Sequence, residues 1–469
     1  MAQLSTPARA LFGTDGVRGV ANRDLTPELA LGIGRALGLR LPAGALVVVG
    51  RDTRRSGTML ESALAAGIAS AGADVALAGV LPTPAVAEAV PASGAAAGAV
   101  ISASHNPFPD NGIKLFGADG FKLADADEAA IERTMDDEGA GARPEGADVG
   151  VVAPAPEMRE RYVRSLLERR SVDLAGMRIV VDCAHGATAG TAPDVLGRLG
   201  ATVEVLGGAP DGVNINAGCG STDLAALSAA VVAGRYDLGV AFDGDGDRVL
   251  AVDAGGTPVD GDQILAVCAL AKRRTGRLAG DAVVTTTMTN LGFRRAMAAE
   301  GVEVRWTDVG DRYVLEEMRR GGYALGGEQS GHVIDLDHGP SGDGLATALA
   351  LLAALRADGA DLATAAAVME RMPQRLVSIP VARKGDLAGA APVWEAVHAC
   401  EAALGDDGRV VVRASGTEPL VRVMVEAPTD AECDRWCGEI VAIAGRELGA
   451  IVDRRPWPRR RRNRDVHAT

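Results

Sequence analysis

Four short stretches of this sequence concentrate residues able to do chemistry. Asp243-Gly-Asp-Gly-Asp247 sets three carboxylates at alternate positions, with glycines between them that let the backbone turn around a small sphere. Carboxylates crowded in this way repel one another unless a cation sits among them, and an all-oxygen donor set suits Mg²⁺. An EF-hand loop needs Gly at its sixth position and Glu at its twelfth, where this chain has Arg248 and Ala254. The alternative is a solvated acidic turn, which fits poorly because the apolar run Leu238 to Phe242 ends directly in the cluster.

Ser102-Ala-Ser104-His105-Asn106-Pro107 offers two hydroxyls, an imidazole and an amide, with Asn111-Gly-Ile-Lys114 shortly after. A serine hydroxyl is a weak nucleophile that needs activation, and a Ser-His dipeptide alone reads more readily as a capped turn than as a catalytic pair. The chain has no G-x-S-x-G, which counts against an α/β hydrolase. Beside a metal site the same groups suit phosphoryl transfer, where catalysis is mostly positioning and charge neutralisation. Only 4 of the 48 basic residues are lysine, so a lysine inside a motif, such as Lys114, carries more information than an arginine.

Arg413-Ala-Ser-Gly-Thr-Glu-Pro-Leu-Val-Arg422 presents the backbone N–H groups and hydroxyls of a tight turn between two arginines. Such a nest binds phosphate, although an ordinary hairpin with exposed arginines has the same sequence. Gly326-Gly-Glu328-Gln329-Ser330-Gly-His332 supplies an acceptor, a hydroxyl and an imidazole on a glycine-rich loop, the equipment for gripping sugar hydroxyls. A lone histidine in such a place is commonly structural.

These stretches need a scaffold that aims them at one point, and the chain carries a repeated one. A β-branched strand, a polar glycine-containing loop, an Ala- or Leu-rich helix and a second short strand recur from Leu46, Arg178 and Ala282, 132 and then 104 residues apart. Each copy reads as a β-α-β unit in a helix-covered sheet. In each, a later strand runs into one of the polar loops: Gly98 to Ser102 into the Ser104 loop, Leu238 to Phe242 into the aspartates, and Tyr323-Ala-Leu into the Glu328 loop. Ligands of α/β sheets bind beyond the carboxyl ends of strands, so three such loops are expected to face one cleft. The expected fold class is α/β, with three similar α/β domains of mixed sheets and a smaller C-terminal α+β domain around a central cleft. The expected domains are 1–155, 156–254, 255–370 and 371–450. A Gly/Ala/Pro-rich linker runs from Gly139 to Pro156, and a basic disordered tail spans 451–469, with seven Arg and two Asp between Asp453 and Thr469.

Composition removes several classes. A chain of 469 residues with 47% hydrophobic and 23% charged residues is globular rather than disordered or fibrous. The formal charge of −14 argues against a nucleic-acid or anionic-membrane surface. No apolar run reaches the length of a membrane span: the longest, Leu345 to Leu355, stops at Arg356. The six cysteines form no C-x-x-C pair and no secreted disulfide framework, and Cys433 and Cys437, spaced i, i+4, lack further ligands at zinc spacing. A reducing cytoplasm is the expected compartment.

Taken together, these residues resemble the α-D-phosphohexomutase superfamily, over a span from Leu11-Phe-Gly-Thr-Asp-Gly-Val-Arg-Gly19 to about residue 448. The segment Asn214-Ile-Asn-Ala-Gly-Cys-Gly-Ser-Thr-Asp223 and Gln329 look like its glucosamine-phosphate branch; the arginine tail is the one departure. The resemblance implies an isomerase in which phosphorylated Ser104 exchanges its phosphoryl group with a hexosamine phosphate through a 1,6-bisphosphate, supplying UDP-N-acetylglucosamine synthesis. It implies Mg²⁺ held by Asp243, Asp245 and Asp247 beside Ser104, with a 1,6-bisphosphate sugar as activator. It implies Glu328 and Ser330 on the sugar hydroxyls, Arg248 on the substrate, and Arg413, Ser415, Gly416, Thr417 and Arg422 on the non-reacting phosphate. Arg18, His105, Lys114 and His332 are the residues it implies for proton handling and charge stabilisation. The partner implied is a small-molecule hexosamine phosphate, with no nucleic acid and no membrane, and a homodimer is the candidate assembly. A phosphomannomutase/phosphoglucomutase and a catalytically silent sugar-phosphate binding protein are the alternative readings.

Overall fold

The computed structural model describes residues 11–13, 15–137, 143–415 and 419–451. They form two compact units, one running to Thr289 and resuming from Phe293 to Met369, the other comprising Asn290–Gly292 and the chain from Glu370.

The first unit contains three sheets. The first sheet and its helices comprise β1 (Val17–Val20), α1 (Pro27–Gly38), β2 (Leu46–Arg51), α2 (Gly57–Ala69), β3 (Asp74–Val80), α3 (Thr83–Ser93), β4 (Ala97–Ile101), β5 (Asp110–Gly117), α4 (Asp125–Asp136) and β6 (Val152–Pro154), in strand order β1-β5-β4-β2-β3-β6. The second comprises α5 (Glu157–Arg169), β7 (Arg178–Asp182), α6 (Ala192–Arg198), β8 (Thr202–Leu206), α7 (Ala225–Gly234), β9 (Leu238–Phe242), β10 (Val249–Asp253) and β11 (Pro258–Val259), in order β11-β10-β9-β7-β8. The third comprises α8 (Gly261–Arg274), β12 (Ala282–Thr286), α9 (Leu291–Ala299), β13 (Glu303–Thr307), α10 (Asp311–Gly321), β14 (Leu325–Gly327), β15 (Val333–Asp335), α11 (Gly344–Asp358) and α12 (Leu362–Ala366), in order β13-β12-β14-β15.

One arrangement repeats in all three. The triplets β3-β2-β4, β8-β7-β9 and β13-β12-β14 are parallel, and the third strand of each pairs antiparallel with the next in sequence, β5, β10 or β15. The central strands read as continuous apolar runs because helices cover both faces: Val47, Val48 and Val49 are fully buried, as are Ile179, Val180 and Val181. The three polar loops are the connections from β4, β9 and β14 to their antiparallel neighbours. Each therefore begins at the carboxyl end of a central strand.

A single hydrophobic core extends through all three sheets, from Val48 and Phe116 through Val181 and Phe242 to Val283 and Leu352. The apolar run Leu345 to Leu355 is α11, buried on nearly every side, and Asp343 caps its start by accepting from the Ala346 N–H at 2.8 Å. No described helix is long and apolar enough to cross a membrane.

Two expectations are corrected. The stretch Gly139 to Pro156 is not wholly a linker, since Val152–Pro154 adds β6 to the first sheet, parallel to β3. Three residues ending in proline make an edge strand that a composition reading takes for linker. The third loop also begins later than expected: Gly326 and Gly327 belong to β14. A Cβ at Gly326 would stand 2.8 Å from the Val284 carbonyl oxygen, so the strand needs glycine for close packing rather than for a turn.

The second unit holds β16 (Gln374–Pro380), α13 (Ala391–Leu404), β17 (Arg409–Ala414), β18 (Leu420–Glu426) and α14 (Asp430–Leu448). Its sheet, β16-β18-β17, is antiparallel throughout, and α13 and α14 close a separate core around Val393, Val423 and Ile440. Cys433 and Cys437 sit on α14 as their spacing predicts, both buried in that core. The tail beyond Ile451, expected to be disordered, lies outside the described residues.

Candidate active site

The loops after β4 and β9 meet at the Ser104 hydroxyl. Its O–H donates to Asp243 Oδ2 at 2.5 Å, and His105 Nδ1 stands 3.4 Å from the same oxygen. Ser104 is buried and adopts φ +50°, a left-handed conformation uncommon outside glycine. Gly244 makes the approach of the two loops possible, because a Cβ there would lie 2.6 Å from the Ser104 carbonyl oxygen.

Asp243, Asp245 and Asp247 are buried, and each offers a carboxylate oxygen within 4.8 Å of the others. Among the described residues they are the only such grouping of His, Cys, Asp and Glu. One oxygen each of Asp245 and Asp247, Oδ1, is buried with no hydrogen-bond partner. Buried acceptors are ordinarily satisfied, so two unmatched oxygens beside a third carboxylate are a donor set that fits a hard divalent cation such as Mg²⁺.

The protein's own counter-charge comes from Lys114 on β5, whose buried ammonium donates to Asp245 Oδ2 at 2.7 Å and to Asp247 Oδ2 at 3.2 Å. Thr83 adds a hydroxyl to Asp245 Oδ2 at 2.6 Å. Burial and the charges of Asp247 and Asp245 push Asp243 well above the ordinary carboxylate range. Asp247 is held well below it: burial acts upward, and Lys114, His332 and Arg248 outweigh it. Lys114 is raised despite burial because Asp245 and Asp247 favour its cation. His105 is pushed down to about 4 by burial, Arg248 and Arg18.

The third loop reaches the same centre. His332 lies between two carboxylates, Nδ1 at 3.6 Å from Asp247 and Nε2 at 3.6 Å from Asp311, and both hold its pKa up against burial. Its backbone bridges Arg248, whose side chain stands 3.7 Å from Asp247 and whose N–H donates to Asp243 Oδ1 at 3.2 Å. Glu328 Oε1 accepts from the Gly310 N–H at 3.2 Å, and burial raises its carboxyl. Ser330 Oγ is buried without a partner. Arg18, on β1, pairs with Asp15 at 3.2 Å, and Asp15 also takes Lys122 at 3.1 Å. Lys122 bonds Asp311 as well, at the edge of a cavity of about 130 Å³ that His332 also lines. A larger cavity of about 290 Å³, lined by Arg170, Cys268, Lys272 and Asp335, contains none of the residues singled out from the sequence.

Ser104, His105, Lys114, Arg18, the three aspartates, Arg248, Glu328, Ser330 and His332 thus all belong to the first unit. The phosphate-nest residues belong to the second. There Arg413 and Arg422 are cross-strand partners, the Ser415 N–H closes the turn on the Leu420 carbonyl at 2.9 Å, and Lys384 Nζ donates to the Ser415 carbonyl at 2.9 Å. Gly416 and Thr417 lie outside the described residues.

Sequence reasoning missed Asp15, Thr83, Lys122 and Asp311. The rarity of lysine was the signal available: it drew attention to Lys114 and applies equally to Lys122.

Comparison with known proteins agrees with this geometry. The chain matches four consecutive family models described as phosphoglucomutase/phosphomannomutase: alpha/beta/alpha domain I over residues 9–141, domain II over 160–256, domain III over 260–372 and the C-terminal domain over 376–443. It is 54% identical over 438 residues to a phosphoglucosamine mutase of Saccharopolyspora erythraea, covering 92% of this chain and 98% of that one. It is 55% identical over 444 residues to a phosphoglucosamine mutase of Frankia casuarinae, covering 92% and 97%. Among solved structures, a phosphoglucomutase/phosphomannomutase family protein of Burkholderia thailandensis superposes with a TM-score of 0.78 at 26% identity, over 94% of this chain and 98% of that one. With every domain matched in order, and relatives more than half identical over nearly the whole length, the chain belongs to the phosphoglucomutase/phosphomannomutase family of α-D-phosphohexomutases and is an isomerase.

Proposed function

We propose that this enzyme interconverts glucosamine 6-phosphate and glucosamine 1-phosphate, with Ser104 as the phosphoryl carrier. The observation that carries the reading is the Ser104 hydroxyl held 2.5 Å from Asp243, at the junction of a nucleophile loop and an all-carboxylate cluster. Phosphorylated Ser104 gives its group to a hydroxyl of the sugar phosphate: the Ser104 O–P bond breaks, a sugar O–P bond forms, and the proton lost by the hydroxyl ends on the departing Ser104 oxygen. The resulting 1,6-bisphosphate turns over and returns its other phosphoryl group to Ser104. It also serves as activator, because it can recharge a dephosphorylated enzyme.

Asp243, Asp245 and Asp247, with Ser104 beside them, would hold Mg²⁺, which neutralises charge on the transferring group. Lys114, Arg248 and Arg18 supply the remaining positive field, and His105 and His332 are the imidazoles available for proton handling. Glu328 and Ser330 face the sugar, where a carboxylate can accept from hydroxyls and pair with a protonated 2-amino group. Arg413, Ser415, Gly416, Thr417 and Arg422 would hold the phosphate that is not reacting, so that either end of the sugar phosphate can bind at the same nest. Names of relatives support the glucosamine substrate: both curated relatives above are phosphoglucosamine mutases. The domain boundaries read from the sequence, 1–155, 156–254, 255–370 and 371–450, are part of this proposal, with each of the first three contributing one loop.

The test is turnover of glucosamine 6-phosphate against glucose 6-phosphate and mannose 6-phosphate, each with its matching 1,6-bisphosphate. A preference for the amino sugar is expected. A ratio of kcat/KM near one, or a preference for the neutral sugars, assigns the enzyme to the glucose and mannose branch.

A further inference from the structure

Two segments have no role in that scheme: the β2 terminus Gly50-Arg-Asp-Thr-Arg54, and Asn214 to Asp223. Both converge on the loop that bears Ser104. Arg54 is the largest of the fully buried side chains. Its Nη1 donates to the carbonyls of Pro107 at 2.6 Å and Asp110 at 3.0 Å, its Nη2 to those of Ser104 at 2.9 Å and Asn106 at 2.8 Å, and its Nε to Asp52 Oδ2 at 2.8 Å. All five guanidinium N–H groups are used, a fan that an ammonium cannot reproduce.

Asp52, also fully buried, accepts from the Arg54 N–H at 2.8 Å and from Ser102 Oγ at 2.6 Å, and Ser102 Oγ in turn accepts from the Ser104 N–H at 2.9 Å. The ring Arg54–Asp52–Ser102–Ser104 is closed. From the second sheet's domain, Asn216 Nδ2 donates to the same two carbonyls, Ser104 at 2.9 Å and Asn106 at 3.1 Å. The left-handed φ of Ser104 is a conformation that persists where surroundings over-determine it, and these bonds do so.

We propose that Arg54 is a positioning residue for phosphoryl transfer, with Asp52 and Asn216 as its supports, and that together they fix Ser104 equally in its free and phosphorylated states. The inference rests on the reading of Ser104 as carrier. A phosphoryl group adds about −1.5 to −2 charges beside three carboxylates, and the serine must not recoil when it is charged. Bonds made to backbone carbonyls hold whatever the side chain carries. A displacement of about 1 Å costs on the order of 10²-fold in rate, and Arg54 and Asn216 need touch no substrate to prevent it.

The experiment compares wild type with Arg54→Lys, Arg54→Ala and Asn216→Gly. The last removes the amide while keeping a backbone suited to φ +57°. Measured are kcat and KM for glucosamine 6-phosphate, Ser104 phosphate by peptide mass spectrometry after treatment with the 1,6-bisphosphate, and folding by circular dichroism. Expected are an Arg54→Lys kcat lower by about 10²-fold and an Asn216→Gly kcat lower by about tenfold, with KM within about threefold in both, together with recovery of Arg54→Ala activity by added guanidinium ion but not by sodium. Folded Arg54→Lys and Asn216→Gly proteins with kcat within twofold of wild type overturn the proposal. So does a loss in Asn216→Gly that follows only its unfolded fraction. Wild-type protein that is active without phosphate on Ser104 overturns instead the reading of Ser104 as carrier.

Discussion

The Ser104 loop and the Glu328 loop leave equivalent strands, β4 and β14, and are held in opposite ways. Around Ser104, four carbonyls between Ser104 and Asp110 accept from one buried guanidinium, a second domain repeats two of those bonds, and the serine hydroxyl is itself engaged. Around Glu328, a tight turn closes on itself through the Gly331 N–H and the Glu328 carbonyl at 3.0 Å, Gln329 reaches Asp260 at 3.4 Å, and Ser330 Oγ has no partner. Under the proposed function, the difference separates two tasks. A group that forms and breaks a bond must sit at one point, so its surroundings are saturated. Groups that recognise a ligand must keep hydrogen-bonding capacity for it, so theirs are not.

The comparison can be broken most directly at the saturated end. Ser104→Ala should reduce kcat by about 10⁴-fold or more while the protein stays folded and monitored turnover of the bisphosphate also stops; full activity would remove Ser104 from the chemistry. Asp245→Asn should lower kcat by about 10³-fold, equivalent to about 4 kcal/mol, and excess chelator should silence the wild type. Undiminished turnover in chelator would show that the carboxylates serve only Lys114 and Thr83.

At the other loop the effects should be smaller and should fall on selectivity. Glu328→Gln should reduce kcat/KM for glucosamine phosphate about ten- to hundredfold, the value of a charge-assisted contact, and should affect glucose phosphate less. Equal losses on both sugars would mean that the carboxylate reads hydroxyls alone. Ser330→Ala should raise KM by roughly two- to tenfold, since a neutral hydrogen bond is worth about 0.5–1.5 kcal/mol; a fall in kcat at constant KM would place that hydroxyl in the transfer step instead. Deleting residues 454–469 should shift neither constant by more than about twofold, or about 0.4 kcal/mol. A larger change would give the arginine-rich tail a role at one of the two loops.

Much of this was legible in the sequence because it follows from apolar periodicity. The three β-α-β units show as β-branched runs, and the polar loops show as interruptions at their ends, so the Ser104, Asp243 and Glu328 loops could be located before any coordinate. Arg54 was not legible for a physical reason. Its guanidinium is buried by pairing with Asp52 and by carbonyls some 50 residues onward, and such burial leaves no periodic trace. Asn216 lies in the segment Asn214 to Asp223 that, with Gln329, resembles the glucosamine-phosphate branch; its bond to the Ser104 loop leaves no mark in the sequence. The edge strand Val152–Pro154 is not legible because three residues of pairing carry no pattern, and Gly326-Gly327 reads as loop because glycine marks both turns and tight packing.

Arg54 grips the Ser104 loop by its carbonyl oxygens and not by its side chains, so the fan constrains that loop by its length more than by its composition. Exchanging the exposed Phe108 for a polar residue removes none of the four bonds. Deleting one residue between Ser104 and Asp110 would move the Asp110 carbonyl by about 3.3–3.6 Å along the chain and take it out of the fan. The loop therefore behaves as a ruler: beyond Ser104 and His105, sequence drift costs the fan little, whereas any change in residue count should be lost from functional enzymes.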